Sequence, residues 1–208
     1  MHTAKLVWAT PDIDGKLAFI ARVSNPNNQS NQNISKLLGY MAREGHVSPF
    51  EMCNLCIEVN TTRAIGRQLL RHRSFSFQEF SQRYAEVEEP LTDVECRMQD
   101  TKNRQNSLGC YDQALADWWK QSVEQHNFNS SKLYTEALNQ GIAKEVARSV
   151  LPEGTTASRL YVNGNIRSWI FYLKSRLHPS TQMEHRILAQ NIAELFAEQA
   201  PVTFKAFF

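Results

Sequence analysis

RHRSFSFQEFSQRY, residues 71–84, puts three arginines (Arg71, Arg73, Arg83), a histidine (His72) and one carboxylate (Glu79) among four aromatic rings, Phe75, Phe77, Phe80 and Tyr84. A surface loop has no need of four aromatics, and a core excludes this many cationic side chains. The structural reading is a helix C-terminus, Leu69-Leu70-Arg71-His72-Arg73, where cations meet the negative end of the helix dipole. It accounts for two of the charges and leaves Arg83, Glu79 and the alternating hydroxyls Ser74, Ser76 and Ser81 unexplained. The functional reading is a pocket for a planar, phosphorylated ligand. Guanidinium forks bind phosphate bidentately, a hydroxyl such as Ser81 donates to phosphate oxygens, and rings stack on rings. The stretch fits neither the helical nor the strand period cleanly and reads as an irregular, extended segment.

On its N-terminal side, PFEMCNLCIEVN reads as a strand, and Thr61 or Thr62 caps the helix RAIGRQLLRHR. Before these come a short strand at LVWA, a helix over DGKLAFIARVSNP closed by Asn25-Pro26, and a helix over NISKLLGYMAREG stopped by Gly45. On the C-terminal side, VECRMQ is a strand candidate. YDQALADWWKQSVEQH and SKLYTEALNQG read as two helices separated by the polar break NFNSS. AKEVARSVL is a helix stopped by Pro152-Glu153-Gly154, SRLYVNG a strand and NIRSWIFYLKSRL a helix. Thr181 and Glu184 form a capping box for a last helix over Gln182 to Gln199. Strands and helices mix without strict βαβ alternation, so the expected class is α+β, a mixed sheet flanked by helices, in one catalytic domain over residues 1–208.

The net charge of +2 is too small for a general nucleic-acid binder, so the local basic cluster points to a local anion. No run of about 18 apolar residues suits a membrane span. The start MHTAKLVWATPDIDGK lacks a signal peptide's charged head and apolar stretch, so a cytoplasmic location is expected, with Cys53, Cys56, Cys96 and Cys110 as free thiols. Cys53-x-x-Cys56 has redox or metal spacing, but no second pair at zinc spacing accompanies it, and core thiols are the expectation. Glu184-His185 lacks the second histidine of a zinc helix, and no metal site is expected. With no glycine-rich phosphate loop, any nucleotide is held by side chains.

Other fragments carry similar chemistry: His46 and Ser48 in HVSPFE, Arg148 in EVAR, and Asn165 in NGNIRS, with Arg176 three helical turns beyond it. Each alone has a structural reading, Asn165 as an N-cap and Arg148 as a surface cation. Together they look like a site assembled from distant segments.

RHRSFSFQEFSQR resembles the signature of the flavin-dependent thymidylate synthases, and ARVS (21–24), GHVSPFE, GRQLLRHR, KEVARSVLP, NGNIRSW and TQMEHR resemble that family's blocks in the same order. The likeness runs from about residue 20 to the C-terminus. It implies a homotetramer with an α/β fold of its own and sites shared between subunits. It also implies reductive methylation of dUMP to dTMP, with methylenetetrahydrofolate as carbon donor, FAD as carrier and NADPH as reductant, and with no nucleic-acid or membrane partner. By the same resemblance Ser24, Ser48, Arg71, His72, Arg73, Glu79 and Asn165 match flavin-site positions. His46 neighbours flavin and folate, and Gln68, Glu79, Ser81, Arg83, Arg148 and Arg176 match the dUMP site. Phe171 stands where the family commonly has Asn or His, and Gln78 where it often has Asn.

On these expectations Arg176 stabilises charge on the uracil ring and Ser81 is a phosphate ligand, since a nucleophilic serine needs an adjacent base. Two other readings stay open: a nucleotide- or RNA-binding module whose aromatics stack on bases, and a homologue that binds dUMP without turnover, for which Phe171 is the argument.

Overall fold

A computed structural model describes residues 1–208. Its centre is a four-stranded sheet in the order β1-β2-β6-β3, with β1 at Thr3–Ala9, β2 at Asn54–Thr62, β3 at Ser76–Glu79 and β6 at Ala157–Asn165. A separate hairpin pairs β4 (Arg97–Gln99) with β5 (Ser107–Gly109). The α+β class holds, and every ladder is antiparallel rather than mixed in direction. β6 alternates as a half-buried strand should: Ser158, Leu160, Val162 and Gly164 are buried while Arg159 and Tyr161 face outward. Opposite it, β2 buries Leu55, Ile57, Val59 and Thr61 in register, from Asn54↔Asn165 to Thr62↔Ala157.

Helices cover the buried face. α1 (Ile13–Ala21), α2 (Ile34–Glu44), α3 (Arg63–Leu70), α6 (Ile166–Arg176), α7 (Met183–Gln199) and α8 (Pro201–Phe207) all contribute to one core of 26 buried residues or pack against it. Trp169, Tyr172, Phe50 and Phe196 are its largest fully buried members. α2 ends where expected, because Gly45 takes the left-handed conformation (φ +71°) that a side chain disfavours. α3 starts at Thr62, whose hydroxyl accepts the Ile65 amide, and α6 starts at Asn165, whose carbonyl accepts the Ser168 amide at 2.8 Å.

Five expectations need correction. The two helices expected around NFNSS are one helix, α4 (Gln113–Asn139, 27 residues), because Asn127 and Ser130 of the supposed break face inward. Asn127 donates to the Thr92 carbonyl at 3.1 Å and accepts from the Thr155 hydroxyl at 2.8 Å, so burial with partners replaces solvation. The capping box is absent: Gln182 occupies the cap position of α7 without a side-chain bond to the helix's backbone amides, and the Thr181 hydroxyl donates back to the Ser175 carbonyl instead. Ser48–Glu51 is a 3-10 turn, not the start of β2, and the helix expected over AKEVARSVL is a short α5 (Lys144–Ala147) followed by a 3-10 turn. Residues 76–79 are a regular edge strand on β6, with Phe77 and Glu79 on its more buried side and Ser76 and Gln78 exposed.

Candidate active site

The 71–84 segment leaves α3, turns through 71–75, forms β3 and runs off the sheet edge at Ser81. Phe75 is the anchor. It is buried against Trp169 (ring centroids 4.3 Å apart) and Tyr172 (5.9 Å). Its ring fills the space over Gly164, where a Cβ would lie 2.1 Å from Phe75 Cδ1. Phe75 is therefore core and is not free to stack on a ligand. Phe77 packs against the same core, whereas Tyr84 is 88% exposed. The aromatics fasten the strip to the sheet, and Arg71, Arg73 and Arg83 stay exposed.

Two groups of expected site residues result. The first lies where the C-terminal ends of α3 and α6 meet the start of α7. Arg176 Nε donates to His72 Nε2 at 2.9 Å, and His72 meets Tyr172 edge-on with centroids 5.0 Å apart. Burial, reinforced by the Arg176 charge, pushes the His72 imidazole down to about 4, so it is neutral at pH 7 and accepts from the guanidinium. Gln68 completes the group through a side chain that sequence reasoning treated only as a zinc candidate and rejected: His185, fully buried, donates from Nδ1 to Gln68 Oε1 at 3.0 Å. Burial, followed by the charges of Arg176 and the neighbouring histidines, pushes His185 down to about 3. Gln182, also not singled out, accepts from Gln68 Nε2 at 2.6 Å. Both lie in TQMEHR, one of the family-like blocks of the sequence, but only contact geometry shows that they bond to Gln68. No group of three His, Cys, Asp or Glu side chains could hold a metal ion.

The second group lies past the other end of β3. Ser81, Arg83 and Tyr84 line a surface depression with Ala143, Lys144 and Glu145. Arg83 pairs there with Glu145 at 3.2 Å, both more than half exposed. Arg148 follows on the same α5 segment and pairs with no carboxylate, as do Arg71, Arg73 and Arg176. β3, four residues long, spans about 13 Å between the two groups at about 3.3 Å per residue. Glu79, on that strand, is already engaged: it accepts from the Ser158 hydroxyl at 2.9 Å and faces Arg63 at 3.6 Å.

The remaining expected residues are Asn165 at the start of α6, Ser48 in a turn packed on that helix, and His46 and Ser24 in exposed turns. The Ser48–Glu51 turn packs on α1 and α6, with Ser48 exposed. Asn165 spends its side-chain carbonyl on the cap, and its amide NH2 bonds to no protein group; His46 is exposed beside Tyr40 (centroids 5.8 Å), and Ser24 is exposed in the turn after α1. Phe171 is 53% exposed, with the Arg167 guanidinium 5.6 Å above its ring and Arg167 paired to Glu51. Cys53 and Cys56 are buried free thiols, as expected.

A family profile described as "thymidylate synthase complementing protein" matches residues 5–202. A flavin-dependent thymidylate synthase of Synechocystis sp. is 48% identical over 196 residues, 93% of this chain and 88% of that one. A probable flavin-dependent thymidylate synthase of Paramecium bursaria Chlorella virus 1 is 44% identical over 98% of each chain. Among solved structures, the UMP/dUMP methylase PolB from Streptomyces cacaoi bound with 5-Br UMP superposes with a TM-score of 0.87 at 29% identity, covering 99% of this chain and 92% of its own.

Proposed function

The chain belongs to the flavin-dependent thymidylate synthase family, and from that premise we propose how its residues divide the methylation of dUMP to dTMP. The observation that carries the proposal is the Arg176–His72 bond. A half-buried guanidinium held by a neutral imidazole, with no carboxylate partner, keeps its charge for a ligand. Placed against the uracil ring, Arg176 stabilises negative charge as it develops there. Gln68 shares that end of the site. Ser81, Arg83 and Arg148 hold the phosphate, and the exposed Glu145 is the internal stand-in that the phosphate displaces from Arg83. Ser81 acts as a ligand: no base bonds to its hydroxyl, and the nearest carboxylate in sequence, Glu79, is held by Ser158 and Arg63.

The donor set suits a flavin dinucleotide. Arg71 and Arg73 are exposed guanidiniums without counter-ions, matched to a pyrophosphate. His72, Ser24, Ser48, Glu79 and Asn165 are the other side chains proposed to hold FAD, with His46 beside flavin and folate. When bound, the flavin supplies carbon-carrier and hydride chemistry that no side chain here offers. The proposal takes methylenetetrahydrofolate as carbon donor and NADPH as reductant. Phe171 offers FAD a ring and no hydrogen bond, and Arg167 covers part of that ring.

The phosphate group and the Gln68–Arg176 group lie at opposite ends of β3. This supports sites completed by other copies in a homotetramer. Exposed Trp118, Phe128 and Tyr111, on and just before α4, supply apolar surface for such contacts. The remaining parts of the reading are one catalytic domain over residues 1–208, supported by the single core cluster, and a cytoplasmic location. No helix is long and apolar enough to cross a membrane.

The test is tritium release from dUMP labelled at C5, with methylenetetrahydrofolate and NADPH, with and without FAD. Release that needs both flavin and NADPH is the expected result. Binding of FAD and dUMP without release would favour a homologue lacking turnover and make Phe171→His the next variant.

A further inference from the structure

At the start of α7 the side-chain hydrogen bonds converge on one carboxylate. Arg97, from β4, donates from Nη2 to Glu184 Oε1 at 2.5 Å. Gln182 Nε2 donates to the other oxygen, Glu184 Oε2, at 2.9 Å. That leaves Gln182 Oε1 facing Gln68 Nε2 at 2.6 Å, and Gln68 Oε1 facing His185 Nδ1 at 3.0 Å. The carboxylate accepts only, so it dictates the rest. Gln182 must turn its NH2 toward Glu184 and its oxygen toward Gln68. Gln68 must then turn its NH2 toward Gln182 and its oxygen toward His185, and His185 must carry its proton on Nδ1.

The reversed arrangement is blocked at both ends. A flipped Gln68 would set two amide oxygens against each other at the Gln182 contact. It would also require His185 to move its proton to Nε2, a buried atom with no partner. An unpartnered buried N–H is the worse of the two orphans. A neutral His185 is consistent with its strongly depressed proton affinity. One hydrogen of the Gln68 NH2 remains uncommitted, on a side chain only partly buried beside Arg176 and His72.

We propose that His185 is a positioning residue, and that the chain Arg97–Glu184–Gln182–Gln68–His185 locks the Gln68 amide as an N–H donor to an acceptor oxygen of the bound nucleotide. The inference rests on the reading of Gln68 as a dUMP ligand. It explains a fully buried histidine whose second nitrogen does nothing, and it gives the β4–β5 hairpin, through Arg97, a part in substrate recognition that no local pattern suggests.

The experiment measures dUMP affinity and the KM and kcat of the flavin-loaded enzyme for four variants. Gln68→Ala and His185→Leu are expected to weaken dUMP binding alike, roughly fivefold, the worth of one neutral hydrogen bond, with the loss in KM rather than kcat. His185→Asn, whose amide nitrogen takes the place of Nδ1, is expected within about twofold of the parent, since it restores that same bond. Glu184→Gln, which removes the accept-only group, is expected to weaken binding severalfold and serves if His185→Leu does not fold. Equal losses in the Leu and Asn variants would reduce His185 to a packing residue and overturn the proposal. Parent-like affinity in both His185→Leu and Glu184→Gln, with Gln68→Ala impaired, would overturn the lock while leaving Gln68 a ligand. Parent-like affinity in Gln68→Ala would remove the reading on which the proposal stands.

Discussion

Acidification should destabilise this fold through two histidines, and the size of the effect follows from their surroundings. In an unfolded chain both titrate near 6.5. Folded, His72 is held down to about 4 and His185 to about 3, each mainly by burial and next by the Arg176 charge. A depressed histidine favours the fold while it is neutral. Its contribution is therefore complete above pH 6.5 and is lost as pH falls toward the folded value, because the unfolded chain takes up protons that the fold refuses. From pH 8 to pH 5 this amounts to about 2 kcal/mol for the fully buried His185, at about 1.4 kcal/mol per pH unit below 6.5. His72 is partly exposed, and solvent screening reduces its share to about 1 kcal/mol. The assay is thermal unfolding at pH 8 and pH 5, at one protein concentration, for the parent and His185→Leu. Carboxylates and the remaining histidines contribute to both proteins and cancel in the comparison. His185→Leu should lose about 2 kcal/mol less than the parent on acidification, a difference of about 4–8 °C in the shift of Tm for a chain of this size. An identical acid shift in the two proteins would refute the reasoning, because His185 would then titrate alike folded and unfolded.

Gly164→Ala should destabilise by about 1–3 kcal/mol in urea unfolding, because its Cβ would enter the Phe75 ring, which Trp169 and Tyr172 hold in place. Arg63→Met should cost about 2–3 kcal/mol, since it strips the partly buried Glu79 of its cation and leaves only the Ser158 hydroxyl; a change below 0.5 kcal/mol would mean that solvent already screens the pair. Arg176→Ala should reduce turnover by about 100-fold or more while the protein still purifies with flavin; equal loss of both would contradict its assignment to the uracil ring. Ser81→Ala should keep measurable turnover in the tritium assay, and a dead variant that still binds dUMP would restore the serine as a nucleophile.

What could be read from the sequence was whatever depends on neighbours along the chain. The alternation of SRLYVNG, the glycine stop after α2 and the caps at Thr62 and Asn165 all act within a few residues. The misreadings occur where a distant partner decides. NFNSS looks like a helix break until Asn127 finds Thr92 and Thr155, whereupon its polarity becomes a reason to be buried. SFQE looks irregular because an inward glutamate spoils the alternation, and only Arg63, sixteen residues earlier, makes that glutamate tolerable. Thr181 and Glu184 have capping-box spacing, but Arg97 claims Glu184 from a hairpin some 87 positions away. The site divides in the same way. The arginines and hydroxyls were visible because they cluster in one segment, whereas Gln182 and His185 acquire significance only through what they touch.

The arginines also sort themselves by partner, and the sorting separates framework from site. Arg63 and Arg97 are mostly buried, their side chains 11% and 14% exposed, and both are bound to carboxylates of other elements. Removing either would strand a charge, so they belong to the framework. Arg71, Arg73, Arg148 and Arg176 have no carboxylate and, unlike the buried Arg22 that two backbone carbonyls hold, are at least partly exposed, which is useful for a site that receives anions. Arg83 falls between the two. Its pair with Glu145 is open to solvent on both sides, and such pairs contribute at most about 1 kcal/mol. A phosphate carries more charge than a carboxylate and offers more acceptor oxygens, and on the proposed reading Ser81 and Arg148 share it, so that it would displace Glu145 at little cost. Glu145 thereby keeps an exposed guanidinium oriented until a stronger anion arrives, which is the behaviour expected of a substrate-binding arginine and not of one that holds the fold together.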